Sequence, residues 1–364
     1  MTITNKEKLN WLRLARSENV GPLTFFRLIE RFGGATEALE QVSELRSNIS
    51  LCSEQEAEKE LEKIEKFGAQ LILFCEEKYP RSLREIASPP PVLTAKGQIE
   101  FLQRDSVAIV GARNASLNGK SFAQSVAVDI GNSHMLITSG MARGIDTAAH
   151  EGALASGTIG VIGGGINTVY PNENADLYEQ VLEYGLLISE VPFNTPPRSE
   201  NFVQRNRLIS GLALAVIVIE AGLKSGSLIT AHCAIDQGKE VYAVPGSPFD
   251  PRSKGTNRLI KEGANIFENV EDFLSSLPDL QRSYLLLKTN VEEKPKIITT
   301  AFDQDIRKIR EEILQRLNFQ PILVDEIINE LQLPTKLVNA TLVEMEMENL
   351  IQVESGRLFK ALQH

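Results

Sequence analysis

Six apolar runs, nearly all followed by glycine or serine, leave the middle of this chain few ways to fold. They are SVAIVG (106–111), HMLITSG (134–140), TIGVIGGG (158–165), GLLISE (185–190), LAVIVIEA (214–221) and EVYAVPG (240–246). Their apolar residues are continuous rather than alternating, so both faces of each strand must be covered. That is the signature of a parallel sheet with helical crossovers. Helix-like segments do separate the runs, and the expected class is α/β, a doubly wound and mostly parallel sheet. In such a sheet the loops after the strands share one edge, where ligands bind. Here those loops hold Gly111, Ser139 and Gly140, Gly163 to Gly165, and Gly246, and two of them add arginine (VGARNAS and SGMARGID). Tight turns alone would account for glycine. Arginines among them point instead to an anion site.

The flanking regions follow other rhythms. Residues 1–67 read as short helices around a turn at Gly21 and Pro22, with a charged amphipathic helix at 54–68. The first pair resembles a helix-hairpin-helix but lacks the Gly-x-Gly hairpin, so a structural helical cap is expected. The α/β domain is assigned to 68–277; its first stretch, 68–97, is a strand, a proline-rich loop and a second strand. A linker is expected at 278–302. Residues 303–364 read as helices at 305–317, 323–331 and 335–349 followed by a hairpin in LIQVESGRLFKAL, the layout of a winged helix.

Charge narrows the partners. The net charge is −10 over 364 residues, divided as −2 over 1–100, −3 over 101–270 and −5 over 271–364. A nucleic-acid site must then be a focused groove rather than a basic coat. The third C-terminal helix has Glu344, Glu346 and Glu348 against Lys336, which suits protein contact better than a DNA groove. Cys52, Cys75 and Cys233 are scattered and without CxxC spacing, as in a reducing cytosol. The four histidines have no paired-ligand spacing, so no metal is expected. No apolar run approaches the about 20 residues of a membrane span. The opening MTITNKEKLN lacks the layout of a signal peptide, and a cytoplasmic protein is expected.

Residues 200–246 concentrate the chemistry. Arg205 and Arg207 precede a buried-type strand, and KSGSLIT then opens a helix whose N-terminal dipole favours an anion. If 203–212 is helical, Phe202 lies beside Arg205, and an aromatic ring beside guanidiniums can stack an unpaired base while cations hold phosphates. The opposing reading places Phe202 in the core and pairs the arginines with Glu200 or Glu220. Enzyme signatures fail one by one. GARNAS is not GxGxxG, and GKS at 119–121 has Asn114 where a Walker loop needs glycine. Glu220 and Asp146 read as structural, one ending a buried strand and one capping a helix. No catalytic residue is assigned.

These segments resemble the DNA-processing protein A family (DprA, also called Smf). The match runs through VAIVGARNAS (107–116), SGMARGIDTAAH (139–150), TIGVIGGGINTVYPNEN (158–174), ISEVPFNTPPRSENFVQRNRLISGL (188–212) and 218–264, with YPRSLREIASPPPVL (79–93) upstream. The resemblance implies a Rossmann-like domain that binds single-stranded DNA and usually forms a homodimer. It also implies a SAM-like or helix-hairpin-helix-like N-terminal piece, a winged-helix-like C-terminus, and loading of the RecA recombinase during natural transformation. Carried onto this chain, the DNA contacts would be Gly111, Arg113 and Ser116 in one loop and Ser139, Gly140 and Arg143 in the next. Phe202, Arg205, Asn206 and Arg207 would form an arginine loop, and Lys224, Ser225, Gly226 and Ser227 a helix cap. Departures are small: Ala112 stands where the family commonly has serine, Met141 where leucine is usual, and Asn167 where aspartate is frequent. The competing class is a Rossmann-like nucleotide-processing enzyme related to the lysine-decarboxylase-like phosphoribohydrolases. Their PGGxGTxxE loop, aligned on GSLIT, puts Thr230 at the catalytic glutamate, and threonine is no carboxylate base.

Overall fold

The computed structural model describes residues 4–44 and 49–277, together with scattered positions beyond 312 that include strands at 322–323, 351–354 and 357–360. Its contacts divide the chain into Met1–Gln281 and Arg282–His364.

In the first unit, four helices precede the sheet: α1 (Asn5–Arg16), α2 (Pro22–Phe32), α3 (Ala35–Glu44) and α4 (Glu54–Lys66). Their starts follow local chemistry. Thr4 with Glu7 and Ser53 with Glu56 form reciprocal capping boxes on α1 and α4, and Pro22 occupies the first turn of α2, where no amide partner is lost. The turn at Gly21 and Pro22 is where the sequence placed it.

Next come β1 (Gln70–Leu73), the single turn α5 (Arg81–Arg84), β2 (Val92–Gly97), β3 (Ser106–Val110), α6 (Leu117–Asn132), β4 (Leu136–Ser139), α7 (Ile145–Ala153), β5 (Thr158–Val161), α8 (Ala175–Tyr184) and β6 (Leu186–Ser189). The unit closes with α9 (Ser199–Leu212), β7 (Ala215–Val218), α10 (Ser227–Asp236), β8 (Glu240–Ala243), α11 (Lys254–Lys261), β9 (Asn265–Ile266) and α12 (Val270–Ser276). The six expected runs are β3 to β8. The sheet order is β1-β2-β6-β5-β4-β3-β7-β8-β9, parallel from β6 to β9 and antiparallel at β1–β2 and β2–β6.

The continuous apolar runs are explained by the core. Along β3, Val107 and Ile109 pack with α6, α7 and α12, while Ala108 and Val110 pack with α9, α10 and α11. The residues of β3 to β7 are buried whichever way they point. Chain order reverses between β3 and β7: β4 to β6 lie on one side of β3, β7 to β9 on the other. The carboxyl ends of these two central strands therefore diverge around a crevice, the usual ligand position in an open α/β sheet.

In the second unit, β11 (Ile351–Glu354) and β12 (Arg357–Lys360) form an antiparallel hairpin, and β10 (Ile322–Leu323) adds to β12. The hairpin is the expected one. Leu323, expected to open a helix, lies in a strand instead. The expected linker at 278–302 and most of the three expected helices, with Lys336, Glu344, Glu346 and Glu348, lie outside the described residues.

Candidate nucleic-acid interface

At the crevice, the loop after β3 meets the loop after β7 with little room between them. A Cβ on Gly111 would lie 2.5 Å from Ile145 Cγ1 and 3.0 Å from the Glu220 carbonyl oxygen, so only glycine fits. Helix α9 lies along one side and the start of α10 along the other. Together they enclose a cavity of about 590 Å³ whose lining includes Gly111, Arg113, Phe202, Arg205, Asn206, Lys224, Ser225, Gly226 and Ser227. An adjoining cavity of about 310 Å³ is lined by Arg113, Gly140, Arg143, Tyr170, Glu173 and Phe202, among others. Eleven of the fourteen residues singled out from the sequence thus converge from four separate segments.

The other three do not face the groove. Ser139 ends β4 with its side chain inside the sheet, donating to the Ile109 carbonyl at 2.6 Å. Ser116 donates through its amide (2.9 Å) and hydroxyl (2.5 Å) to the Glu220 carboxylate, while its Oγ accepts from the Gly119 amide at 2.9 Å and caps α6. Its polar groups are already used in clasping the two loops together, which is also the structural role of Glu220. Arg207 pairs with Glu190, not with Glu200 or Glu220, and donates to the Ser88 carbonyl at 2.6 Å. The reason is helical periodicity. From Phe202, positions 205 and 206 recur on one face at i+3 and i+4, and 207 turns away from it.

Arg205 also differs from its expected role. It is only 5% exposed, and its Nη1 donates to the carbonyls of Gly140 (2.6 Å) and Val161. It belongs to the floor of the groove, beside two buried groups of opposite tendency. Burial pushes the Asp146 carboxyl up to about 6, although the nearby Arg205 guanidinium and the amides of Ala142 and Gly140 pull it down. Asp146 is thus no simple helix cap; it lies inside the first turn of α7, which starts after Gly144. Burial, reinforced by Arg205, pushes the His150 imidazole down to about 3, and its Nδ1 lies 2.7 Å from Thr158 Oγ1. Gly140 makes room for this cluster, since a Cβ there would sit 2.6 Å from Arg205 Nη1 and 2.7 Å from Asp146 Oδ2. Gly140→Ala is therefore expected to destabilise the fold by about 1–3 kcal/mol, as overpacked buried sites do, measurable as a lower urea midpoint at unchanged slope. A midpoint equal to that of the parent would mean the floor is soft.

Above the floor, Phe202 is half-buried against the Gly163 backbone, where a Cβ would approach its ring to 2.7 Å. Tyr170 lies next to it, ring centroids 5.3 Å apart at 36°, and the guanidinium carbons of Arg113 and Arg205 are 5.6 and 5.9 Å from its centre. Tyr170 is 46% exposed and was not picked out from the sequence, though its VYPNEN segment was. The exposed cations around this aromatic pair are Arg113, Arg143 and Lys224. At the start of α10, Ser225 Oγ and Ser227 Oγ lie 2.8 Å apart, and Gly226 provides no side-chain cap. The amides of Ser227, Leu228 and Ile229 already donate within this turn. The anion cradle expected there consists more of Lys224 and the two hydroxyls than of helix amides. Among the described residues, no group of three or more histidine, cysteine or acidic side chains could hold a metal ion, and no helix is long and apolar enough to cross a membrane.

Exposed cations around a tilted aromatic pair, over a floor with its own buried arginine, suit a flexible polyanion with unpaired bases. Comparison with known proteins agrees in class. DNA processing protein DprA of Bacillus subtilis is 42% identical over 220 residues, 60% of this chain and 74% of the relative. The X-ray structure of DNA processing protein A from Streptococcus pneumoniae superposes with a TM-score of 0.64 at 31% identity, covering 76% of this chain and 99% of that one. DNA processing protein A from Helicobacter pylori, whose structure concerns its single-stranded DNA binding mode, gives a TM-score of 0.53 at 29% identity over 57% of this chain and 95% of its own. The flanks match a DprA-like N-terminal HHH domain at 5–62 and a DprA winged helix domain at 303–357. Since the model for DNA recombination-mediator protein A spans 70–278, the very sheet and loops that build the groove, this chain belongs to that family of DNA-processing proteins.

Proposed function

We propose that this chain binds single-stranded DNA in the groove between the β3 and β7 loops, protects it and hands it to the RecA recombinase. The observation that supports this most directly is the half-buried Phe202 beside the exposed Tyr170, ringed by the exposed cations Arg113, Arg143 and Lys224. A duplex hides its bases from such a pair; a single strand offers a base to stack and phosphates to hold. In this reading the protein does no chemistry on the strand. Glu220, at the loop crossing, is bound by Ser116, and Thr230 occupies the position where a related hydrolase would need a base. A homodimer, cytoplasmic location and service in natural transformation belong to the same proposal. The family resemblance supports these, and the acidic C-terminal region suits the protein partner.

The test is a salt titration by fluorescence anisotropy with labelled oligo-dT and a duplex of equal length. Arg113→Ala is expected to weaken strand binding about tenfold and to lower the slope of log K against log salt by about 0.7, the value for one lost single-strand phosphate contact. Lys224→Ala should act in the same direction. Equal affinity for strand and duplex, or an Arg113→Ala variant with unchanged affinity and slope, would remove the groove from the function.

A further inference from the structure

Arg207 points away from the groove into a buried cluster that links the N-terminal helices to helix α9. Arg16, in the last turn of α1, donates through Nε to both carboxylate oxygens of Glu60 on α4 at 3.1 Å, and through Nη1 to the Glu190 carbonyl at 3.1 Å. Glu60 Oε1 also accepts from the Phe193 amide at 3.2 Å. The Glu190 carboxylate in turn receives Arg207, whose other arm reaches the Ser88 carbonyl. Side-chain exposures of the four members lie between 9% and 18%, so solvent screens little of the interaction. Two cations and two carboxylates leave the cluster neutral. Burial raises the Glu190 carboxyl, while Arg207 and Arg16 hold it down.

The position of this cluster in the chain matters more than its charge. Residues 190–193 follow β6 and lead into α9, the helix that presents Phe202, Arg205 and Asn206 to the groove. One end of that lead is gripped by the helical layer, through Arg16 and Glu60. Glu190 is gripped by α9 itself, through Arg207. At its far end α9 is held again, as Lys239 Nζ donates to the carbonyls of Ser210 (2.8 Å), Gly211 (2.7 Å) and Ala213 (2.6 Å). The helix is thus fastened through its second half, at Arg207 and at its C-terminal end, while its groove face is left open.

We propose that the N-terminal helical layer positions α9 through the Arg16–Glu60 and Glu190–Arg207 pairs, making Arg16 and Arg207 positioning residues for strand binding that never touch the strand. This rests on the single-strand reading above, and the salt slope separates the two roles. A residue that holds a phosphate changes both affinity and slope; one that places other residues changes affinity alone.

In the 364-residue chain, Arg16→Gln and Arg207→Gln are each expected to weaken oligo-dT binding about three- to tenfold, with the salt slope of the parent. The double variant should lose less than the product of the two, because both break one cluster. Hydrogen exchange on the DNA-free protein supplies an independent arm: amides of 190–212 should exchange faster in Arg16→Gln while those of β3 and β4 stay protected. A slope lowered by about 0.7 in Arg207→Gln would make it a direct phosphate ligand and overturn the proposal. Unchanged affinity with unchanged exchange would overturn it as well. If the parent bound no single strand, the functional reading would fail, and the exchange arm alone would decide the clamp. Should Arg16→Gln not fold, Arg16→Lys takes its place, since lysine keeps the charge but cannot span Glu60 and the Glu190 carbonyl together.

Discussion

Arg205→Ala is expected to cost about 3–5 kcal/mol of stability, the range for breaking a buried charged network from one side, and so to unfold a large part of the protein before any effect on DNA can be read. The guanidinium is buried, and its loss leaves the carbonyls of Gly140 and Val161 without their donor. It also removes a cation that acts on both Asp146 and His150, and takes away support from the Phe202 ring. Urea unfolding followed by circular dichroism measures this directly. Arg113→Ala, at an exposed position, should by contrast stay within about 0.5 kcal/mol of the parent, as surface substitutions usually do. A stable Arg205→Ala variant with weakened strand binding would reverse this assignment and return Arg205 to the role of a phosphate ligand. Two arginines two residues apart in sequence and a third in the β3 loop are therefore expected to give three different phenotypes.

Between pH 4 and 6, Asp146 and His150 are expected to cancel in the stability of the protein, and single substitutions should expose them with opposite signs. Asp146 titrates at about 6 in the fold against 3.8 ordinarily, so over this interval it holds a proton when folded and none when unfolded. A raised folded value adds stability at low pH that is lost as pH climbs through about 6. His150 titrates at about 3 in the fold against 6.5, so it is neutral when folded and protonated when unfolded. Its lowered value adds stability at high pH that is lost as pH falls below 6.5. Each contributes a slope of about 1.4 kcal/mol per pH unit, one negative and one positive. Relative to the parent, Asp146→Asn should become more stable as pH rises from 4 to 6, and His150→Gln less stable. Urea midpoints at pH 4, 5 and 6 decide the matter, and parallel curves for all three proteins would show that neither group is held as the geometry implies. Because Asp146 underlies the groove, its uptake of a proton near pH 6 removes a negative charge from the groove floor.

The doubly wound sheet was legible because burial on both faces leaves a mark in every residue of a strand. Six continuous apolar runs can be covered only by helices on both sides, and the glycine and arginine after them then fall on one edge. The same reasoning does not reach β9, two residues long, or the antiparallel addition of β2 to β6, since neither pairing partner nor direction is written into a short apolar segment. Helix boundaries with capping chemistry, such as Ser53 and Glu56, were readable from local hydrogen bonding alone.

Within the groove, residue type foretold which segments would meet, and side-chain direction was settled elsewhere. Arg113, Arg143, Arg205 and Arg207 look alike in sequence, yet two are exposed, one lies in the floor and one serves a cluster behind α9. Helical spacing from Phe202 already separates 206 from 207, a signal present but easily passed over. Nothing local marks Glu190 as the partner of Arg207 or Glu220 as the partner of Ser116, because those carboxylates arrive from other strands 17 and 104 residues away. Patterning along the chain records which faces must be dry. Which charge ends up beside which depends on how the strands cross, and only the assembled sheet decides it.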